Sequence, residues 1–185
     1  MTKRNWCLAK SFHNHFEFSS FPARHFFSQI LFFNTFLLLF SGDNVDAKYH
    51  GNPDFIMALF QVVFKHIVDK AKETSASETE DSNKAGPVEA EKELLDKFRH
   101  VLKPFIADKP KLQLAAVYAL QMSCNALCFP KGLLLRSFVN FYEMDIVDEH
   151  AFLQWKEDVN ETYPGKGKAL FQVNTIVIAI LFQVS

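Results

Sequence analysis

The stretch FVNFYEMDIVDEHAFLQWKEDVNETYPGKGKALFQVN, residues 138–174, interleaves aromatic residues with carboxylates on what its pattern predicts to be helices joined by turns. The acidic residues are Glu143, Asp145, Asp148, Glu149, Glu157, Asp158 and Glu161. The aromatic residues among them are Phe141, Tyr142, Phe152 and Trp155. Because carboxylates at this density repel one another, the arrangement costs stability unless a cationic partner or a basic face opposes it. The pattern allows two interpretations: a docking surface for a lysine-rich segment, or a solvated helix face over an ordinary core.

The bulk composition bounds the architecture of the whole chain. A chain of 185 residues supports one domain with extra segments, or at most two small domains. Hydrophobic residues make up 49% of it, which is enough for a buried core, and the net charge of −1 gives no overall bias toward nucleic acid. The cysteines Cys7, Cys124 and Cys128 are odd in number and lack a framework spacing, so we expect a reducing, cytoplasmic environment.

Residues 1–50 form a phenylalanine-rich segment that does not resemble the rest of the chain. Its run Phe26–Phe40 (FFSQILFFNTFLLLF) carries no charge, but it is shorter than the roughly 20 apolar residues that a spanning helix needs. Lysines and arginines precede the run, so a signal anchor is one interpretation. We favour a divergent or alternatively spliced extension, and a membrane-tethered protein remains the alternative hypothesis.

Helical periodicity begins after residue 50. Asn52 is a suitable N-cap and Pro53 suits a first helical position. Apolar residues then recur at the three- and four-residue spacing of one buried face, at Ile56, Leu59, Phe60, Val63, Phe64 and Ile67. Residues 73–87 are poor in apolar side chains and predict a flexible loop inside the domain.

Prolines divide the following residues into helices. Pro87, Pro110 and Pro130 are each expected to open a helix, whereas Pro104 should kink or end the second one. Basic residues of this region are Lys97, Arg99, Lys103, Lys109 and Lys111. They lack interleaved stacking aromatics, so RNA binding is weakly supported, and a counter-face to the acidic stretch or plain solvated surface is favoured.

The remaining helices follow the acidic residues. Asp145 is the expected N-cap of a fifth helix, with Asp148 and Glu149 in its first turn. A turn over residues 163–168 leads to a sixth helix that carries Ala169, Leu170 and Val173. Helices with short connections and no alternating strand pattern predict an all-α fold of stacked antiparallel helix pairs.

The motifs for catalysis are incomplete. Residues 165–168 (GKGK) lack the GxxxxGK[ST] order of a phosphate loop and lack a preceding strand, so we interpret them as a turn with exposed lysines. Cys124 and Cys128 have no further ligand nearby in sequence, which favours buried, inert thiols over a zinc site. We therefore expect a binding module rather than an enzyme, with no cofactor and no metal.

Four motifs carry a family resemblance across residues 52–174. They are NPDFIMALFQVVFKHIV, LQLAAVYALQMSCN, FPKGLLLRSFVNFYEMDIVDEHAFLQWKED and YPGKGKALFQVN. These motifs resemble the C-terminal two-tryptophan domain of the translation initiation factor 4 gamma-like family, in its death-associated branch. The resemblance implies a HEAT-type helical stack over residues 51–175 and a role in translation initiation or its regulation.

The resemblance also implies a binding surface and its partners. In this family, acidic-aromatic boxes contact lysine-rich segments of the beta subunit of initiation factor 2, and a related domain docks a basic segment of a protein kinase. The first box corresponds here to Glu143, Asp145, Asp148, Glu149, Phe152 and Trp155, and we add the neighbouring acids Glu157 and Asp158. We expect the aromatic residues to lie mostly in the core, and we expect no small-molecule substrate, nucleic-acid contact or membrane contact.

The sequence departs from the family after Asn174. The family continues with a tryptophan-bearing helix and a glutamate-rich second box, whereas this sequence reads TIVIAILFQVS. Residues 176–185 are thus expected to form a divergent apolar tail. This departure supports a further alternative, an incomplete isoform that lacks partner binding.

Overall fold

A computed structural model describes residues 51–76, 86–159 and 162–173. Five helices have defined bounds: α1 (Pro53–Ala76), α2 (Pro87–Ile106), α3 (Pro110–Ala126), α4 (Leu133–Glu143) and α5 (Glu149–Glu157). Residues 166–173 are also helical, and we call them α6. None of these described residues lies in a strand, so the predicted all-α class is confirmed.

Helix α1 begins as the sequence predicts. The side-chain oxygen of Asn52 accepts hydrogen bonds from the N–H groups of Asp54 (2.8 Å) and Phe55 (3.4 Å). These bonds satisfy donors that the first helical turn would otherwise leave unpaired. The helix extends to Ala76, so the first residues of the loop predicted over 73–87 are helical instead.

Helix α2 packs antiparallel to α1. Phe55 pairs with Phe105 at a ring distance of 6.1 Å, and His66 pairs with Phe98 at 6.0 Å, so the two helices run in opposite directions. Pro104 was predicted to kink or end the helix, and the predicted end is wrong, since α2 continues through it to Ile106. The proline lies on the exposed side of the last turn. The carbonyl that loses its N–H partner belongs to His100, which is also an exposed residue.

Helix α3 is the centre of the stack and contacts α1, α2, α4 and α5. Ala115, Ala116 and Ala119 are buried within it and permit the neighbouring helices to approach closely. Side-chain contacts join Gln113 to Asp148 at the start of α5 and Gln121 to Trp155 near its end, so α3 and α5 run in the same direction. The alignment of α3 with α5 is what a HEAT-type stack of successive helix pairs requires.

The connection between α3 and α4 differs from the prediction. Helix α4 begins at Leu133 rather than at Pro130, because the chain first makes a turn that ends at Gly132 with a φ of 73°. Cys128 also has a positive φ, 61°, and is exposed, so the expectation that both cysteines are buried is wrong for this one. Cys124 is buried, and this burial raises the pKa of its thiol to about 12.

The last described helix packs against the α3–α4 connection. Ala169 and Val173 are buried, and the amide nitrogen of Gln172 donates to the carbonyl of Phe129 at 3.3 Å. Gly165 precedes α6 with a φ of 88°. The left-handed conformation there favours glycine.

Several sequence predictions lie outside the described residues. They concern the phenylalanine-rich segment 1–50 with its run Phe26–Phe40, the middle of the loop 73–87, and the apolar tail 176–185. Within the residues that are described, no helix combines the length and the apolar character needed to cross a bilayer.

Candidate protein-binding surface

The aromatic residues of the predicted box lie in the core. Phe152 and Trp155 are 1% and 0% exposed. Both rings pack on Phe138 of α4, each at a centroid distance of 5.0 Å. Neither ring is presented to a partner, so their role in this structure is to fix α5 on the stack.

Trp155 also ties three parts of the chain together by hydrogen bonds. Its indole N–H donates to the side-chain oxygen of Gln121 at 2.8 Å. The amide nitrogen of Gln121 in turn donates to the carbonyls of Tyr163 (3.2 Å) and Pro164 (3.0 Å). Gln121 is fully buried, so this network satisfies polar groups that would be costly to leave unpaired.

Lys166 is half-buried against the same tryptophan. Its ammonium nitrogen lies 3.9 Å from the centroid of the Trp155 ring and 5.5 Å from that of Tyr118. It also donates to the main-chain carbonyl of Trp155, in the last turn of α5. Burial lowers the pKa of Lys166 to about 8, while the nearby Asp158 acts in the opposite direction. The prediction of an exposed lysine in this GKGK turn is therefore wrong at Lys166.

Asp158 is held by a neighbouring helix. Its carboxylate accepts a hydrogen bond from the hydroxyl of Tyr118 on α3. Burial first, and then this hydrogen bond, raise the pKa of Tyr118. The N–H of Asp158 donates to the carbonyl of Gln154 at 3.0 Å and closes the end of α5.

Asp148, not Asp145, is the N-cap residue of α5. Gln113 of α3 both donates a hydrogen bond to Asp148 and accepts one from it. The amide nitrogen of Gln113 donates to the Asp148 carboxylate at 2.7 Å, and its oxygen accepts the N–H of Asp148 at 3.1 Å. The carboxylate that follows, Glu149, lies in the first turn of α5, where the helix dipole favours a negative charge.

Asp145 lies in the turn between α4 and α5 and has a different role from the predicted one. Its φ of 55° is left-handed, and its N–H donates to the carbonyl of Tyr142 at 2.9 Å. Its carboxylate forms a salt bridge with Lys103 of α2. The hydrogen bond from this lysine is the main cause that lowers the pKa of Asp145.

A second salt bridge joins the same two regions. The ammonium group of Lys92 lies 3.0 Å from the carboxylate of Glu143 at the end of α4. The sequence predicted that basic residues of this region could face the acidic stretch, and Lys103 does so through its salt bridge with Asp145. The sequence interpretation missed Lys92, which lies eleven residues earlier and therefore about three helical turns away on the same side of α2.

Glu149 and Glu157 complete the predicted set. Glu157 is exposed and Glu149 is partly exposed. Within the described ranges 51–76, 86–159 and 162–173, neither side chain forms a salt bridge or a hydrogen bond. Asp148 and Asp158 also reach solvent, but side chains of α3 hold them. We name the other four acids, Glu143, Asp145, Glu149 and Glu157, the acidic rim. It runs from the end of α4 to the end of α5.

Comparison with known proteins places this architecture in a family. Residues 112–180 match the model of the W2 family, described as eIF4-gamma/eIF5/eIF2-epsilon. The match includes α4, α5, the acidic rim and all but the first two residues of α3. The stacked helices and this match together define a W2-type domain.

The curated relatives agree with this class. The chain is 44% identical over 136 residues to eukaryotic translation initiation factor 4 gamma 2 of Mus musculus, and 45% identical over 134 residues to the proteins of that name from Homo sapiens and Bos taurus. Each match covers 71% of this chain and 15% of the relative. The chain carries a W2 domain of the initiation factor 4 gamma-like family, and it spans a small part of the length of these relatives.

Proposed function

We propose that this chain is a protein-interaction domain of a translation initiation or regulation scaffold, and that it binds lysine-rich segments through the acidic rim. The proposal is carried by one observation, which is that aromatic and acidic residues of the same stretch of sequence occupy different environments. Its aromatic residues are buried and fix α5, while Glu149 and Glu157 on that helix reach solvent without a partner among the described residues. Rigid presentation of carboxylates favours association with a cationic segment.

The expected contact is weak and sensitive to salt. An exposed ion pair contributes about 0.2–1 kcal/mol, so several pairs are needed for a measurable affinity. Surface charges are screened beyond about 8 Å at physiological ionic strength. Such a contact forms quickly by electrostatic steering and dissociates quickly.

The family membership supports a particular kind of partner. We propose the lysine-rich segments of the beta subunit of initiation factor 2, and as a second candidate a basic segment of a protein kinase. Both would present several ammonium groups in an extended chain, which matches acids spread along one edge of the stack. In this proposal the domain acts in the cytoplasm as a binding module.

A fluorescence-anisotropy titration tests this function. A labelled lysine-rich peptide from the beta subunit is titrated with the full chain at about 50 mM and about 300 mM salt. We expect saturable binding at low salt that weakens strongly at high salt. Binding that does not change with salt, or no binding by the folded chain, would contradict the proposal.

A matched pair of variants locates the contact. Glu149→Gln/Glu157→Gln removes two rim charges, and Glu73→Gln/Glu93→Gln removes two exposed charges from α1 and α2. Both variants change the net charge equally, so a difference between them reports the position of the charges. We expect a greater loss of affinity for the rim variant. Phe152 and Trp155 are unsuitable for this test, because their replacement disturbs the core.

A further inference from the structure

Two members of the acidic rim already hold lysine side chains of the same chain. Lys92 binds Glu143 and Lys103 binds Asp145, across sequence separations of 51 and 42 residues. The side chains of the first pair are 54% and 51% exposed, and those of the second are 38% and 67% exposed. Both pairs are thus open to water and to any competing cation.

The lysines belong to one edge of α2. Lys92, Arg99 and Lys103 are spaced by seven and four residues, which places them along a single stripe of a helix. The positive charge of Arg99 also contributes to lowering the pKa of Asp145, so Arg99 acts on the same region. We name these three residues the basic edge. It lines the acidic rim on the side of α4.

We propose that the basic edge is an intramolecular competitor for the acidic rim, and that a lysine-rich segment binds by displacing Lys92 and Lys103. This inference rests on the proposed function of the rim. Exposed ion pairs are weak and their long side chains lose entropy on pairing, so an incoming lysine can replace them. In the free protein, Lys92 and Lys103 would then neutralise part of the charge of the acidic rim. The whole negative charge would face the partner only after these lysines are displaced.

Competition sets both affinity and selectivity. A single lysine replaces one internal pair with one equivalent external pair and gains little. A segment with several lysines engages Glu149 and Glu157 as well, where no internal pair among the described residues has to be broken. The basic edge therefore favours multivalent basic segments over isolated cations.

The test compares two double variants that change the net charge equally. Lys92→Gln/Lys103→Gln removes the competitor. Lys65→Gln/Lys97→Gln is the control, because Lys65 pairs with Asp69 on α1. Lys97 follows Lys92 by five positions, which places it about 140° around α2 from it. Glutamine is a good helix former, so neither change should disturb the helices.

The readout is the dissociation constant for the labelled lysine-rich peptide at low salt. Removal of two internal pairs should tighten binding by about twofold to thirtyfold relative to the wild-type chain. The control should tighten it by less, since it changes only the long-range field. Lys92→Arg/Lys103→Arg keeps the cations and should leave the affinity near that of the wild type.

The outcomes separate this inference from the proposed function. Equal tightening by the two glutamine variants would overturn the competition and leave the binding function intact. Binding seen only after Lys92→Gln/Lys103→Gln would support the competition in its strongest form. No binding by the wild type or by either glutamine variant would overturn both proposals, provided that circular dichroism shows folded chains.

Discussion

The network around Trp155 predicts a strong thermodynamic coupling between two buried side chains. Trp155→Phe removes the indole N–H and leaves the Gln121 oxygen buried without its donor. An unpaired buried acceptor costs about 1–3 kcal/mol, and the smaller ring leaves a void that adds to it. We expect a total destabilisation of about 2–4 kcal/mol, a large part of the roughly 5–15 kcal/mol by which a domain is stable.

Substitution of Gln121, the hydrogen-bond partner of Trp155, should destabilise the fold by a comparable amount. Gln121→Met keeps the length of the side chain but leaves the Trp155 N–H and the carbonyls of Tyr163 and Pro164 without their partner. In the double variant Trp155→Phe/Gln121→Met, neither the indole N–H nor the amide remains. The double variant should therefore lose less stability than the sum of the two single variants, and the difference is a coupling of about 0.5–3 kcal/mol.

Urea unfolding followed by far-UV circular dichroism measures this cycle, since the signal of a helical protein comes mainly from its backbone and remains when Trp155 is replaced. Gln154→Met is the control, because Gln154 is an exposed residue of α5 next to Trp155. It should change the free energy of unfolding by less than about 0.5 kcal/mol. Full additivity of the two core substitutions, or a Gln121→Met variant as stable as the control, would refute the reasoning.

Three further predictions concern the start of α6 and the glycine before it. In a Trp6→Phe chain, the fluorescence of Trp155 should titrate near pH 8 as Lys166 loses its proton, and Lys166→Met should abolish this step. The lowered pKa means that the unfolded chain binds the Lys166 proton more tightly than the folded chain does. The free energy of unfolding should therefore rise between about pH 8 and the ordinary lysine pKa of 10.5. Urea titrations at each pH measure this rise. Gly165→Ala should destabilise the fold, since the φ of Gly165 is 88° and an added Cβ would lie 2.7 Å from the side-chain oxygen of Asn125. Gly167 has open space around it, so Gly167→Ala should be neutral or stabilising in the same assay.

Local chemistry explains why most helix starts were predictable. Asn52 caps α1, and Pro87 and Pro110 occupy first helical positions, where a missing N–H costs nothing. The errors fall where that chemistry was ambiguous. Helix α4 starts three residues after Pro130, because a left-handed turn at Gly132 intervenes.

The choice of N-cap for α5 required the tertiary structure. Asp145 and Asp148 are the same residue type and both precede the helix. Gln113 lies 35 residues away in sequence and selects Asp148 by two hydrogen bonds. Lys103 engages Asp145 from 42 residues away. Neither partner can be deduced from helical periodicity, which reports only the spacing within one element.

The sequence by itself determined the all-α class, the buried stripes of the helices and the presence of a dense acidic stretch, because these depend on residue type and on spacing along one chain segment. The tertiary structure decided which carboxylates remain available. It holds Asp148 and Asp158 by α3 and pairs Glu143 and Asp145 with lysines of α2. Packing brings together charges that are distant in sequence, and the energy of a charge depends on what lies within a few ångströms of it.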